Sequence, residues 1–132
     1  MALAYKELSF DFEPRWFAIV YALKGKETMA VTELASMLKQ THPAVNQVAN
    51  VLVQKGLVEE SKDEADQRKR LLKLSKAGSR LVKKMEGVWE SIKIANDELL
   101  KTTAPDFLER IKALEGTLDG ESMYDRVKSK LS

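Results

Sequence analysis

Asn46, Gln47 and Asn50, continued by Gln54, are the residues whose type and spacing most plainly allow selective chemistry. On a helix they form one uncharged stripe. Each amide sets a donor beside an acceptor, the pattern that pairs with the N6 and N7 edge of adenine in the major groove of DNA. The ordinary alternative for such a stripe is a solvated helix face. Just ahead of it, Thr41 is suited to cap the helix, Pro43 to sit in its first turn, and His42 to meet a phosphate or a base edge.

A second group is Arg68, Lys69 and Arg70. At the tip of a hairpin these cations would meet a flanking minor groove, whose negative potential attracts guanidinium when the groove is narrow. Asp66, two residues before Arg68, is spaced to brace it by an ion pair. The alternative is a solubilising charged turn. Asp63 and Glu64 would repel phosphate unless the loop turns its basic side to the DNA. Trp16, Phe17, Tyr21 and Trp89 make a third group, either core aromatics or the lining of a cavity for an apolar small-molecule effector.

Catalysis has little to work with. The chain has no cysteine and one histidine, so thiol chemistry, a histidine-based triad and a multi-histidine metal site all lack their parts. There is no glycine-rich phosphate loop and no paired carboxylates in an apolar setting. No enzyme activity, no metal and no cofactor are expected. With 22 basic and 20 acidic residues the formal charge is only +2, so any affinity for nucleic acid must come from how charge is distributed. The 44% hydrophobic and 32% charged composition is that of an ordinary globular protein. No secretory signal and no membrane-length apolar run is visible, and a cytoplasmic location without membrane partners is expected.

These groups need elements to position them. Pro14 opens a helix carrying Trp16, Phe17, Val20 and Leu23, with Gly25 as its stop. Met29 to Val31 is a short strand, and Thr32 is a suitable N-cap for a helix with Leu34 and Leu38 on its apolar face. After a tight turn, Val45, Val48, Ala49 and Leu52 define the buried side of the helix that carries the amide stripe, and Gly56 ends it. Leu57 to Glu60 and Arg70 to Leu74 make a hairpin with a polar tip. From Ser75 a long helix runs to about Thr103, its Leu81, Met85, Val88, Ile92, Ala95 and Leu99 forming a heptad seam, widened by Val82 and Trp89, that needs a partner. Two further amphipathic stretches follow, the first stopping at Gly120.

The expected fold is mainly α with a small β-wing, a winged helix-turn-helix followed by C-terminal dimerisation helices. It occupies 1–132 as one domain: a DNA-binding core over 11–75, with the reading helix at about 42–55 and the wing at about 57–74, and dimerisation helices over 76–132.

The runs T-E-L-A-S-M-L-K-Q-T-H-P-A-V-N-Q, K-G-L-V-E and D-E-A-D-Q-R-K-R-L-L-K-L-S-K-A-G resemble the MarR family of bacterial regulators. The most specific elements are Asp66 and Arg68 as the wing's D-x-R, and Leu72 to Gly78 as L-x-L-[ST]-x-x-G. The resemblance implies a homodimer whose reading helices enter successive major grooves of a pseudo-palindromic site in double-stranded DNA, usually to repress transcription, with release by a small ligand. The alternative use of such a fold is a protein-interaction module without sequence-specific DNA binding. Lys39 stands where the family often has glycine, Gln40 where it often has an aliphatic residue, Glu64 for its usual proline and Gln67 for a common arginine. Only about ten residues precede the Pro14 helix. Family members usually begin with a longer one, so dimerisation is expected to lean on Leu81 to Leu131.

Overall fold

The computed structural model describes residues 1–131. By its internal contacts the chain divides into a unit of Met1–Glu86 and a unit of Gly87–Ser132.

The first unit begins with α1 (Ala2–Glu7), a helix that hydrophobic periodicity does not announce. It is held by a chain of edge-on aromatic contacts: Tyr5 meets Phe12 with ring centroids 5.2 Å apart, and Phe12 meets Trp16 at 5.7 Å. Pro14–Trp16 form a single 3₁₀ turn that leads into α2 (Phe17–Leu23), with Ile19, Val20 and Leu23 buried. A short strand β1 (Met29–Ala30) passes straight into α3 (Val31–Leu38). Thr32 is therefore inside the helix rather than its cap. Ala30 takes the cap position because the chain there is still extended and paired with β3, and the Glu33 side chain accepts from the Ala30 N–H at 3.3 Å instead.

The turn between α3 and α4 (His42–Gln54) is closed by two bonds, Gln40 N–H to the Ala35 carbonyl at 2.9 Å and Lys39 N–H to that of Ser36 at 3.3 Å. This pattern puts Lys39 in the left-handed region, at φ 51° and ψ 43°. The same closure ends α4, where Gly56 takes φ 71° and Leu57 N–H donates to the Leu52 carbonyl at 3.0 Å. A lysine in this conformation brings its Cβ against the backbone, which glycine avoids. Lys39→Gly is accordingly expected to stabilise the protein by about 0.5 to 1 kcal/mol after glycine's greater unfolded-state freedom is set against the relief. A urea midpoint equal to or below the parent's would contradict the strain.

The wing is β2 (Val58–Lys62) and β3 (Arg70–Leu74), antiparallel, with Val58 opposite Leu74 and Lys62 opposite Arg70. β1 adds on the other edge of β3, giving the order β1-β3-β2. The core these elements enclose includes Trp16, Leu23, Leu34, Val45, Ala49, Leu52, Leu72 and Met85, all essentially inaccessible.

The long helix α5 (Lys76–Thr103) opens on Ser75, whose hydroxyl donates to the Gly56 carbonyl at 2.6 Å and accepts from Gly78 N–H at 2.9 Å. Ser75 N–H also donates to the Leu57 carbonyl at 3.0 Å, so α5 starts pinned to the turn that ends α4. Along α5 the buried positions are Gly78, Val82, Met85 and Trp89, while Leu81, Val88 and Ile92 are half-buried and Leu99 is exposed. Burial thus favours the Val82 and Trp89 edge of the widened seam and fades toward Thr103.

The second unit continues with α6 (Phe107–Gly120) and α7 (Met123–Leu131), neither of which buries a residue. Phe107, Ile111, Leu114 and Leu118 lie on one face of α6. No helix among the described residues is long and apolar enough to cross a membrane.

Candidate nucleic-acid interface

Helix α4 starts at an exposed end. Thr41 Oγ1 accepts from Ala44 N–H at 3.3 Å, His42 and Pro43 form the first turn, and all three are exposed. Burial of Val45, Ala49 and Leu52 against the core turns the opposite face outward, leaving Gln47, Asn50 and Gln54 exposed and Asn46 half-buried.

The wing tip is built by two aspartates. Asp63 Oδ1 accepts from the N–H groups of Ala65 at 2.7 Å and Asp66 at 3.3 Å, an Asx turn that starts the loop. Asp66 Oδ1 accepts from the Arg68 N–H at 3.0 Å and from its Nε at 3.3 Å, and the Asp66 carbonyl accepts from Lys69 N–H at 3.0 Å. Both carboxylates are half-buried and spent on the loop's own backbone, while the Arg68 side chain is 93% exposed. Asp63, one of the two acidic residues that sequence reading set against phosphate binding, thereby shapes the tip, while Glu64, the other, stays exposed on the same loop as Arg68.

Arg70 is placed differently from Arg68. Its side chain is 24% exposed; Nε meets Glu60 Oε2 at 2.6 Å, and Nη1 donates to Asn46 Oδ1 at 3.0 Å. Wing and reading helix are thus tied across 24 positions of sequence. Glu60 is a member of this constellation that sequence reading missed. The strand register contains the signal: Glu60 lies opposite Leu72, which makes Arg70 its diagonal neighbour on the same face of the hairpin. Beside the tie an open groove of about 370 Å³ is lined by Asn50, Val51, Val53, Gln54, Glu60 and Arg70.

The N-terminal segment is fastened to the far end of the same helix. Lys55 Nζ contacts Asp11 Oδ2 at 3.0 Å and lies 5.7 Å from the centre of the Trp16 ring. Of the aromatics considered for an effector site, Trp16 is a core residue at 1% exposed and Trp89 is buried at 8%. Phe17 and Tyr21 are exposed, with their rings 5.2 Å apart. Among the described residues no group of three or more His, Cys, Asp or Glu side chains is placed to hold a metal ion.

A sequence model of the MarR family matches residues 10–69. No curated protein matches the chain. Among solved structures, a MarR mutant from Escherichia coli complexed with operator DNA superposes with a TM-score of 0.66 at 24% identity, covering 82% of this chain and 76% of that one. The PcaV transcriptional regulator of Streptomyces coelicolor, in complex with its natural ligand, gives 0.67 at 20% identity, covering 91% and 84%. Bordetella bronchiseptica BpsR, whose DNA binding is regulated by 6-hydroxynicotinic acid, gives 0.64 at 22%, covering 80% and 79%. At these identities the superpositions speak for the winged-helix fold. The chain thus has the winged-helix fold, and its residues 10–69 match the sequence model of the MarR family.

Proposed function

We propose that the protein is a DNA-binding transcription regulator, a ligand-released repressor that grips a pseudo-palindromic operator as a homodimer. The observation that carries this reading is the exposed amide face of α4 standing beside a hairpin that holds Arg68 outward. A helix face of that kind reads base edges in the major groove, and a basic tip beside it takes the adjacent minor groove. Thr41, His42, Pro43, Asn46, Gln47 and Asn50 are the contacts assigned to the reading helix, with Arg68 and Lys69 on the wing and Arg70 tied back to Asn46.

The second copy is supported by the apolar residues that α6 and α7 leave uncovered, among them Phe107, Ile111, Leu114 and Val127. A face of this composition on a lone chain costs solvation that a second copy removes. Two copies present two reading helices, with half-sites about 10 to 10.5 base pairs apart. Release by a small ligand is supported by two similar structures, PcaV in complex with its natural ligand and BpsR, whose DNA binding 6-hydroxynicotinic acid regulates, and the exposed Phe17 and Tyr21 rings are apolar surface that an effector would use.

The test is a gel shift on random duplex DNA at low salt, followed by selection of bound sequences from a random pool. A regulator retains non-specific affinity at low salt and enriches an inverted repeat. No retention of duplex DNA at low salt would refute the reading, and enrichment of a single half-site with a monomeric mass in solution would refute the dimer.

A further inference from the structure

The side chain of Asn46 has its two ends in unlike situations. Its carbonyl Oδ1 accepts from Arg70 Nη1 at 3.0 Å. Because guanidinium has only donors, the amide orientation is fixed by chemistry: the oxygen must face Arg70 and the NH₂ must face away. Arg70 is held in turn, since its Nε is bonded to Glu60 Oε2 at 2.6 Å in a charge-assisted contact. Asn46 Nδ2 makes no hydrogen bond to any described residue. A relay from Glu60 through Arg70 therefore commits one pole of the amide and leaves the other.

From this we infer that Asn46 reads DNA as a hydrogen-bond donor only, with Arg70 as its positioning residue. The inference rests on the DNA-binding reading above and sharpens it. A free asparagine uses both poles, oxygen and NH₂ together, to grip the N6 and N7 edge of adenine. With its oxygen turned to the wing, Asn46 presents NH₂ to the groove, and an NH₂ group is satisfied by a keto oxygen, guanine O6 or thymine O4. Cytosine meets it donor to donor, and adenine offers N7 alone, beside an N6 donor that the Asn46 oxygen no longer accepts. The base favoured at this position is thus guanine or thymine, and the wing decides it without touching that base.

Selection from a random duplex pool tests the inference, run in parallel on the parent, Asn46→Ala, Asn46→Asp and Arg70→Met. Asn46→Ala identifies the position, as the one in each half-site that loses its preference. There the parent is expected to favour a keto base over an amino base by roughly tenfold, the scale of one good base-edge contact. Asn46→Asp keeps the shape and strengthens the bond to Arg70, but turns the outward pole from donor to acceptor. Its preference should invert to cytosine or adenine. Arg70→Met keeps the aliphatic stem and frees the amide, so adenine should rise at this one position while the others hold. A purely structural role for Arg70 would instead lower affinity for all sequences alike, and that result would overturn the positioning role. If the parent favours adenine at the Asn46 position, or if Asn46→Asp keeps the parent's base, the donor-only inference is wrong while DNA reading stands. If the parent enriches no sequence at all, the DNA reading falls and this inference with it.

Discussion

Gly78→Ala is expected to destabilise the protein by about 3 kcal/mol or more, lowering its melting temperature by roughly 10 °C, against a Gly87→Ala control that moves the other way. Both glycines lie in α5, and helix propensity alone would favour alanine at each by about 0.5 to 1 kcal/mol. What separates them is the third dimension. A Cβ on Gly78 would stand within 2.0 Å of the Leu57 carbonyl oxygen and 3.0 Å of its carbon, whereas one on Gly87 meets nothing within 4 Å. No rotamer relieves a contact between two backbones. The helix would have to move away from the turn after α4, and the Leu57 carbonyl is the same one that accepts from Ser75 N–H at 3.0 Å. Moving it also stretches the Ser75 hydroxyl's bonds to the Gly56 carbonyl and Gly78 N–H. The L-x-L-[ST]-x-x-G run thus has a physical content in this chain: Leu72 enters the core, Ser75 caps α5 and pins it to the preceding turn, and Gly78 lets the backbones touch. Equal unfolding midpoints for the two alanine variants would show that α5 does not depend on that approach.

The parts of this arrangement that a sequence displays are those decided within one turn of chain. Thr41 before Pro43, Gly56 after the last apolar position and the polar tip between two β-rich runs are local signals, and the structure places α4 and the wing where those signals put them. Thr32 misled because its capping chemistry competes with strand pairing: β1 pairs with β3, and β3 is more than forty residues away, so Ala30 becomes the cap. The helix α1 was illegible for a related reason. Six residues with no side-chain cap and an exposed Leu3 have little intrinsic tendency to be helical, and what orders them is Tyr5 meeting Phe12, which exists only once Phe12 is seated on Trp16. In α5 the heptad spacing was visible, with Val82 and Trp89 widening it, and burial favours that edge, at Val82, Met85 and Trp89. The tie from Asn46 to Arg70 was hidden most deeply, because two polar residues on separate elements advertise nothing until the hairpin is folded back along α4.

Arg68→Ala is expected to reduce affinity for the operator about tenfold near physiological salt and to lower the magnitude of the salt slope by about 0.9, one counterion fewer being released. The Arg68 side chain is well placed to reach DNA: it is 93% exposed, and its partner Asp66 is 3.3 Å from Nε. An ion pair so open contributes little to folding, so the unfolding midpoint should hardly change and the loss can be read as binding. Asp66→Ala provides the contrast. It leaves the arginine's charge in place but removes the acceptor shared by Arg68 N–H and Nε, so the loop keeps its cation and loses its aim. The salt slope should therefore stay near the parent's while affinity falls by a smaller factor, about threefold, the scale of one exposed charge-assisted bond. The two measurements together separate charge from placement. If both variants flatten the slope equally, Asp66 does more than orient Arg68. If Arg68→Ala keeps the parent's slope at every salt concentration, the wing tip does not lie against the phosphates, and the minor-groove role assigned to it is wrong.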